Sequence, residues 1–280
     1  MRNAPAAALL ALLAANTAPA DAPAPTLEGE IVQGGLVVGR ASPDARVEID
    51  GKPVPQASDG TFLIGIARDR ERPLQLAVDY GERGVHRSQL APRKRNFDVQ
   101  RIDGLPREKV TPDPAALERI RAEAARVRRA RERRDDRTDF SGGFDWPVTG
   151  PITGVYGSQR ILNGEPRSPH WGIDIAAPAG TPVRAPAPGV VTMVHADMYF
   201  SGGTLLLDHG LGLSSAFLHL EDILVDEGER VQRGETIATV GATGRATGAH
   251  LDWRMNLGPV RIDPALLVGE MPDEGAGAQR

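Results

Sequence analysis

Hydrophobic and polar residues alternate with a period of two through much of the segment 27–105, and this is the pattern of half-buried β-strands. In one such run, Leu74, Leu76 and Val78 are separated by less hydrophobic residues, and the dipeptide Asp50-Gly51 marks a tight turn. The runs recur at roughly ten-residue intervals, which is typical of a small antiparallel sandwich. The pattern therefore predicts an accessory, β-sandwich-like domain over residues 27–105.

The periodicity changes to that of a helix in the segment 111–138. A helix is predicted from about Ala115 to Arg134, with one thin apolar stripe formed by Leu117, Ile120, Ala124 and Val127. Nine arginines and seven acidic residues lie between residues 111 and 139, so most of the helix surface is charged. We interpret the segment as a charged linker helix that docks by its narrow face, and a helix that binds a partner protein is the alternative.

Short strands bounded by glycine replace the helical pattern from residue 145 to residue 268. Six segments have this character: 183–187, 189–194, 204–207, 214–218, 236–240 and 250–255. They predict a second, all-β domain. Residues 269–280, rich in glycine, alanine and acidic side chains, are expected to form a flexible tail.

The first twenty residues have the organisation of a secretory signal peptide. A short start with one arginine precedes an uncharged run from Ala4 to Ala15, and Ala18-Pro19-Ala20 resembles a cleavage site. The apolar run is shorter than the roughly 20 residues that cross a membrane, and no later stretch is long and apolar enough to do so. We therefore expect residues 1–20 to be removed and the product to be periplasmic or secreted, without a transmembrane anchor.

Composition narrows the chemistry further. The formal net charge is −4 and aromatic residues make up only 4% of the chain, so neither a basic surface nor stacking platforms for nucleic acid are indicated. The absence of cysteine excludes disulfides, thiolate metal sites and a cysteine nucleophile. The residues left for chemistry are six histidines, the carboxylates and the hydroxyls.

Two segments of the C-terminal domain place histidine and aspartate on one face of a strand. Strand alternation puts His170 and Asp174 on the same side, with Trp171, Ile173 and Ile175 facing the core. Imidazole nitrogen and carboxylate oxygen are ligands suited to Zn²⁺, so a metal site is one interpretation of this pattern.

The same alternation groups His250, Asp252 and Arg254 on one face of a later strand. His219 lies at the end of another strand. His195 and His209 are interpreted as surface or turn histidines.

At this point the chain resembles a known family. The run His170-Trp171-Gly172-Ile173-Asp174-Ile175-Ala176-Ala177-Pro178 is similar to the H-x-G-x-D segment of the lysostaphin-type, or LytM-type, zinc metallopeptidases of peptidase family M23. Further segments follow in the family's order: Gly180-Thr181-Pro182-Val183, Ala187 to Val191, Asp208-His209-Gly210, Phe217 to Leu220, Gly228 to Gly234, and Gly241 to Leu251. The resemblance covers residues 145–268 and implies a LytM-like antiparallel β fold.

The resemblance also implies roles for individual residues. His170 and Asp174 occupy the positions of two zinc ligands, and His219 and His250 occupy those of two histidines that assist catalysis. The third ligand of the family is the second histidine of an H-x-H motif, and here that position is Asp252. The implied activity is that of a zinc endopeptidase acting on the peptide bridges of bacterial peptidoglycan.

Asp252 leaves two interpretations open. It can serve as the third zinc ligand, with Arg254 orienting it, or Arg254 can pair with it and draw the carboxylate away from the ion. The first gives an enzyme. The second gives a catalytically silent relative that binds cell wall or activates another wall hydrolase. Under either interpretation, the helix or the N-terminal domain is the expected contact for a wall-hydrolase or divisome partner. A biotinyl- or lipoyl-carrier domain is excluded because no lysine follows Lys109.

Overall fold

The structure is a computed structural model that describes residues 22–102, 114–162 and 164–272. The predicted signal peptide and residues 273–280 of the predicted tail lie outside the described residues. Within the described ranges the chain forms twenty strands, one α-helix and two short 3-10 turns, at Gly81–Arg83 and Pro264–Leu266. The mostly β architecture confirms the predicted fold class.

The N-terminal part is a two-sheet sandwich, as the alternation predicts. Its strands are β1 (Thr26–Glu28), β2 (Leu36–Arg40), β3 (Arg46–Ile49), β4 (Lys52–Pro53), β5 (Thr61–Gly65), β6 (Leu74–Asp79) and β7 (Val85–Leu90). One sheet has the order β1-β2-β5 and the other β4-β3-β6-β7. Alternate residues of both sheets, among them Val37, Phe62, Leu76 and Val78, fill the core between them.

The remaining strands follow the helix, except for β8 (Val99–Ile102). They are β9 (Ile152–Gly154), β10 (Gln159–Leu162), β11 (Glu165–Pro166), β12 (Gly172–Ala176), β13 (Pro182–Arg184), β14 (Gly189–Met198), β15 (Gly202–Asp208), β16 (Leu213–Ile223), β17 (Arg230–Val231), β18 (Thr236–Val240), β19 (His250–Leu257) and β20 (Val260–Ile262). All strand pairs of the ten-stranded sheet are antiparallel, and its main order is β17-β14-β15-β16-β19-β12-β9.

The ten-stranded sheet is buried deeply because alternate side chains of its central strands pack into one large apolar cluster. Ile173 and Ile175 of β12 and Leu251, Trp253 and Met255 of β19 are at most 1% exposed. This leaves the other face of β12 and β19 to polar residues, as the alternation predicts.

The helix, α1, runs from Pro114 to Ala130 and lies on the face of β14, β15 and β16. Val127 and Ala130 pack against an apolar patch of that face, formed by Met193, Met198, Leu206, Ala216 and Leu218. The described part of the chain contains no helix long and apolar enough to cross a membrane.

Three features join the predicted accessory region to the C-terminal part of the chain. Leu36 of β2 and Leu63 of β5 point away from the sandwich core and belong to the same apolar cluster as the C-terminal strands. Strand β8, which lies within the predicted accessory region, pairs in parallel with β10. A buried ion pair between Arg95 and Asp263, at 2.7 Å, also connects the two parts.

Candidate active site

Neighbouring strands of the ten-stranded sheet bring the five predicted site residues together. In the register between β12 and β19, Asp174 lies directly opposite Asp252, and Ala176 lies opposite His250. On the other side of β19, Leu218 of β16 is the partner of Asp252, so the adjacent His219 lies at the same level of the sheet. His170 comes two residues before β12 begins.

His170, Asp174 and Asp252 form a compact group of metal-ligand type. The Nε2 atom of His170 is 3.0 Å from Asp174 Oδ1 and 3.5 Å from Asp252 Oδ2, and one ligand atom from each residue lies within 4.8 Å of the others. Tetrahedral zinc with bonds of about 2.0 Å separates its ligands by roughly 3.3 Å. The three side chains therefore fit a zinc ion in both chemistry and spacing.

The ring of His170 is oriented for binding through Nε2. Its Nδ1 lies 3.3 Å from the carbonyl oxygen of Val155, which fixes the proton on Nδ1 and turns Nε2 toward the carboxylates. Burial acts to lower the pKa of His170, but the hydrogen bonds and charges of Asp174 and Asp252 outweigh it and raise the pKa to about 9. At pH 7 without a cation His170 is therefore protonated, and its charge partly offsets those of the two carboxylates, so a metal ion that binds here displaces that proton.

His219 and His250 stand beside this group with their rings 4.8 Å apart. His219 Nδ1 is 2.8 Å from the carbonyl oxygen of Thr243, and His250 Nδ1 is 2.9 Å from that of Gly248. Each carbonyl selects the tautomer that leaves Nε2 free to exchange a proton. Burial lowers the pKa of His219, so this ring is a neutral base at pH 7.

The backbone at His219 is unusual. Its φ is +65°, in the left-handed region that non-glycine residues rarely adopt, although the residue lies within β16. Such conformations persist where surrounding contacts fix them, and they concentrate at functional sites.

Arg254 pairs with Asp252 in a two-pronged contact. Arg254 Nε is 2.9 Å from Asp252 Oδ1, and Nη2 is 2.5 Å from Oδ2. Burial acts to raise the pKa of Asp252, but Arg254 and His170 outweigh it and hold that pKa well below its usual range. Asp252 is therefore ionised and lies within reach of both Arg254 and His170.

A cavity of about 790 Å³ opens above these side chains, and helix α1 forms one of its walls. Ile120, Ala124, Val127 and Arg131 line it from the helix side. Glu123 fixes the helix there, because its carboxylate accepts the backbone N–H of Tyr199 at 3.0 and 3.1 Å. The charged helix is thus part of the candidate site.

Two sequence-based expectations for this region need correction. His209, expected at the surface or in a turn, lies in the turn between β15 and β16, but it is fully buried, 2.7 Å from Pro188 O and 2.8 Å from Ser215 Oγ. Trp171, expected in the core, lines the cavity because it precedes β12, where strand alternation does not yet apply.

The cavity residues that sequence reasoning missed are Arg131 and Arg261. Arg131 was hidden in the arginine-rich helix segment, where most of the arginines point to solvent, and Arg261 lies after the recognisable strand pattern of β19. No spacing rule separates these two from the other arginines of the chain.

Comparison with known proteins identifies the C-terminal domain. The profile of peptidase family M23 matches residues 168–264. Peptidoglycan DD-endopeptidases ShyB and ShyA of Vibrio cholerae are each 42% identical to this chain, over 116 and 121 residues. These matches cover 41% and 43% of this chain but only 24% and 25% of the relatives, so the chain spans about a quarter of the length of these curated relatives.

The likeness to a solved structure extends beyond that domain. A crystal structure from Pseudomonas aeruginosa, described as a peptidase M23, is 32% identical and superposes with a TM-score of 0.65. The match covers 85% of this chain and 95% of the other, so it includes the N-terminal sandwich as well as the C-terminal sheet.

Proposed function

Because the chain belongs to peptidase family M23, we propose that it is an exported, zinc-dependent endopeptidase that hydrolyses peptide bonds of bacterial peptidoglycan. The observation that carries the proposal is the convergence of His170, Asp174 and Asp252 within 4.8 Å at one wall of a cavity. The peptidoglycan substrate is supported by the names of the two Vibrio cholerae relatives. The predicted signal peptide supports a periplasmic or secreted location.

Arg254 makes an Asp252 ligand electrostatically reasonable. A set of one histidine and two carboxylates carries a charge of −2, one more than the family's set of two histidines and one carboxylate. The guanidinium of Arg254, 2.5 Å from Asp252 Oδ2, offsets that extra charge and brings the local total to −1. A metal in this environment keeps the Lewis acidity that an uncompensated second carboxylate would weaken.

The residues around the metal position divide the chemistry between them. When bound, zinc supplies polarisation of the scissile carbonyl and a water of lowered pKa. His219 and His250 are the proton carriers, because each has Nδ1 at a carbonyl and Nε2 available. Helix α1 and the strands enclose the cavity and limit the water that reaches the peptide.

A second candidate function rests on the same ion pair. If Arg254 holds Asp252 away from the metal, the chain is a silent module of the family that binds cell wall or activates another wall hydrolase. The contact with that partner would then involve α1 or the N-terminal sandwich. Metal content distinguishes the two functions, since the silent module needs no zinc.

The proposal is tested by metal analysis and peptidoglycan hydrolysis on the same preparations. The purified chain should contain one zinc and release muropeptides, and chelation or His170→Ala should remove both properties because two carboxylates alone hold zinc poorly. His86→Ala, on β7 of the N-terminal sandwich, is the matched control and should behave like the unmodified chain. Hydrolysis that survives His170→Ala would refute the metallopeptidase assignment.

A further inference from the structure

The cavity carries more positive charge than its own acidic residues offset. Five arginines and three acidic residues of the described chain line it: Arg128, Arg131, Arg245, Arg254, Arg261, Glu123, Asp174 and Asp252. Glu123 is engaged by Arg119 and the Tyr199 amide, and Asp252 is engaged by Arg254. The acidic side chains of the cavity therefore hold the helix or belong to the metal-ligand group.

Arg131 has no counter-charge among the described residues. It follows directly after α1, its Nε is buried without a hydrogen-bond partner, and no described acidic side chain forms an ion pair with its guanidinium. The charged groups that act on it are Arg261 and Arg254, which repel it. Burial, together with those two charges, lowers the pKa of Arg131 to about 9, so it remains charged at pH 7.

Arg261 is in a similar position on the opposite wall. Its Nη1 donates to Asn256 Oδ1 at 3.2 Å, which is a neutral partner. Burial and the charge of Arg254 lower the pKa of Arg261 to about 10, so this group is also cationic at pH 7. Two guanidinium groups thus face one cavity, and neither forms an ion pair with an acidic side chain of the described residues.

Holding charged groups away from water without a partner is costly, and a ligand that supplies the missing charge recovers that cost. The planar fork of a guanidinium matches the two oxygens of a carboxylate. We propose that Arg131 and Arg261 bind a free carboxylate of the peptide substrate in the cavity that also contains the metal position. This inference rests on the proposed function, because it takes the anion to be part of a peptidoglycan peptide.

The helix has a definite role in this proposal. Arg131 reaches the cavity because Val127 and Ala130 pack on β14, β15 and β16 and hold the end of α1 at its wall. The helix therefore completes a wall of the peptide site. An arginine that merely obstructs the cavity is the competing explanation, and the experiment separates the two.

The test measures peptide binding to the full chain carrying His250→Ala, in which turnover is blocked. The probes are a synthetic stem peptide with its C-terminal and side-chain carboxylates free, and two forms in which one or the other is converted to the carboxamide. One amidated form should bind about tenfold more weakly than the parent, the size expected for loss of a charged hydrogen bond. The form affected identifies which carboxylate is recognised.

Arg131→Gln and Arg261→Gln should each abolish this discrimination. Arg121→Gln, an exposed position on the same helix, removes the same charge and should preserve it. Because Arg131 has no acidic partner in the described parts of the chain, Arg131→Gln should also leave the melting temperature unchanged or raise it, whereas a structural arginine would lower it.

Three outcomes overturn the inference. The first is equal binding of all three peptides by the chain that carries only His250→Ala. The second is loss of the discrimination between the peptides in Arg121→Gln as well. The third is tighter binding of every peptide by Arg131→Gln, which would indicate an arginine that obstructs the cavity. Steady-state hydrolysis by the chain with His250 intact separates this inference from the proposed function. If the peptides are hydrolysed but the free and amidated forms bind equally, only the carboxylate site is refuted. If the two forms bind differently but no peptide is hydrolysed, only the catalytic assignment is refuted.

Discussion

Asp252 holds two contacts that compete for the same oxygen atoms. Its Oδ2 lies 2.5 Å from Arg254 Nη2 and 3.5 Å from His170 Nε2, so the carboxylate already points toward both a cation and a metal ligand. A carboxylate has lone pairs enough to accept from a guanidinium and to ligate zinc at once. The pair is therefore compatible with an Asp ligand whose orientation Arg254 controls.

We expect Asp252→Ala to lose zinc and Asp252→His to retain it, since only the second keeps three ligands. Arg254→Gln should retain zinc but reduce turnover by roughly 10- to 100-fold, the usual effect of losing a residue that orients a metal ligand. Metal content and muropeptide release are measured for all three variants. Zinc that persists in Asp252→Ala, or increases in Arg254→Gln, would instead show that Arg254 holds Asp252 away from the metal.

His209 makes the free energy of unfolding depend on pH in the acidic range. Burial lowers its pKa to about 4 from 6.5 in the unfolded chain, so unfolding takes up a proton between these pH values. The stability contributed by the neutral ring is complete above pH 6.5 and is lost as the pH falls toward 4. Between pH 7 and pH 5 the loss should be about 2 kcal/mol.

Chemical denaturation at pH 7 and pH 5 checks this expectation. His209→Gln keeps a polar group in the site but does not titrate, so its free energy of unfolding should fall less than that of the unmodified chain over the same range. The comparison removes the contributions of other groups, because they are common to both proteins. Equal pH dependence in the two proteins would contradict the assignment to His209.

The five proposed site residues were predictable because each lies in a strand pattern or a recognisable motif. Alternation correctly placed His250, Asp252 and Arg254 on the face opposite Trp253. It failed for Trp171 because that residue lies outside β12. The turn position of His209 was correct, but its burial was missed because polarity alone does not show that Pro188 and Ser215 satisfy its ring. Their functional roles remain predictions.

At the scale of elements, α1 depends on polar anchors more than on its apolar stripe. Glu123 accepts the Tyr199 amide, Arg119 donates to Asp197, and Arg126 reaches both Glu227 and the carbonyl of Val194. Within the stripe, Ile120 and Val127 are half-buried, and Leu117 and Ala124 are exposed. The helix is thus held to the edge of β14 by contacts that single substitutions can remove.

Glu123→Ala should loosen α1 locally, because it leaves the Tyr199 amide without its acceptor and breaks the ion pair with Arg119. Losing a charged acceptor costs about 1 to 3 kcal/mol, so hydrogen exchange of the α1 amides should accelerate by roughly tenfold or more. Glu118→Ala, at an exposed position of the same helix, is the control. Unchanged exchange in Glu123→Ala would show that packing alone holds the helix.

The helix was foreseen from its periodicity, but its end was not. The structure ends α1 at Ala130, whereas the arginine-rich sequence predicts continuation to Arg134. The residues that follow Ala130 are good helix formers, so the sequence contains no stop signal there. Tertiary contacts end the helix instead, and among them Arg134 lies against Gly212 and Gly258. The docking surface of the helix was equally invisible, because it is formed by strands 60 or more residues later in the chain.

At the scale of the molecule, the sandwich and the catalytic sheet share an apolar cluster. The β1-β2-β5 sheet is buried on both faces, with Phe62 and Ile64 toward its own core and Leu36 and Leu63 toward the C-terminal domain. Leu63 is hydrophobic although it lies between two residues of the sandwich core. This break in the alternation was the sequence signal that the other face of the sheet is also buried. The separate folding of residues 27–105 and 145–268 stays a prediction.

Limited proteolysis examines that organisation. We expect cleavage within residues 107–143 to yield two fragments, and we expect them to remain associated because Leu36, Leu63 and the Arg95–Asp263 pair stay intact. Size-exclusion chromatography should show one peak, and Leu63→Asp should split it by placing a charge in the shared cluster. Resistance of the whole chain to cleavage would argue against two separable units.

Helix α1 is connected at both ends to parts of the fold that are themselves fixed. On one side the chain leads back to β8, which pairs with β10, and on the other it continues to Phe140 in the core and to the Arg137–Asp208 pair. A segment attached in this way meets its docking surface at an effective concentration of order millimolar, whatever the dilution of the protein. A peptide copy of residues 114–130 added in solution would need a comparable concentration to replace it. At lower peptide concentrations the attached helix keeps its place on the cavity wall.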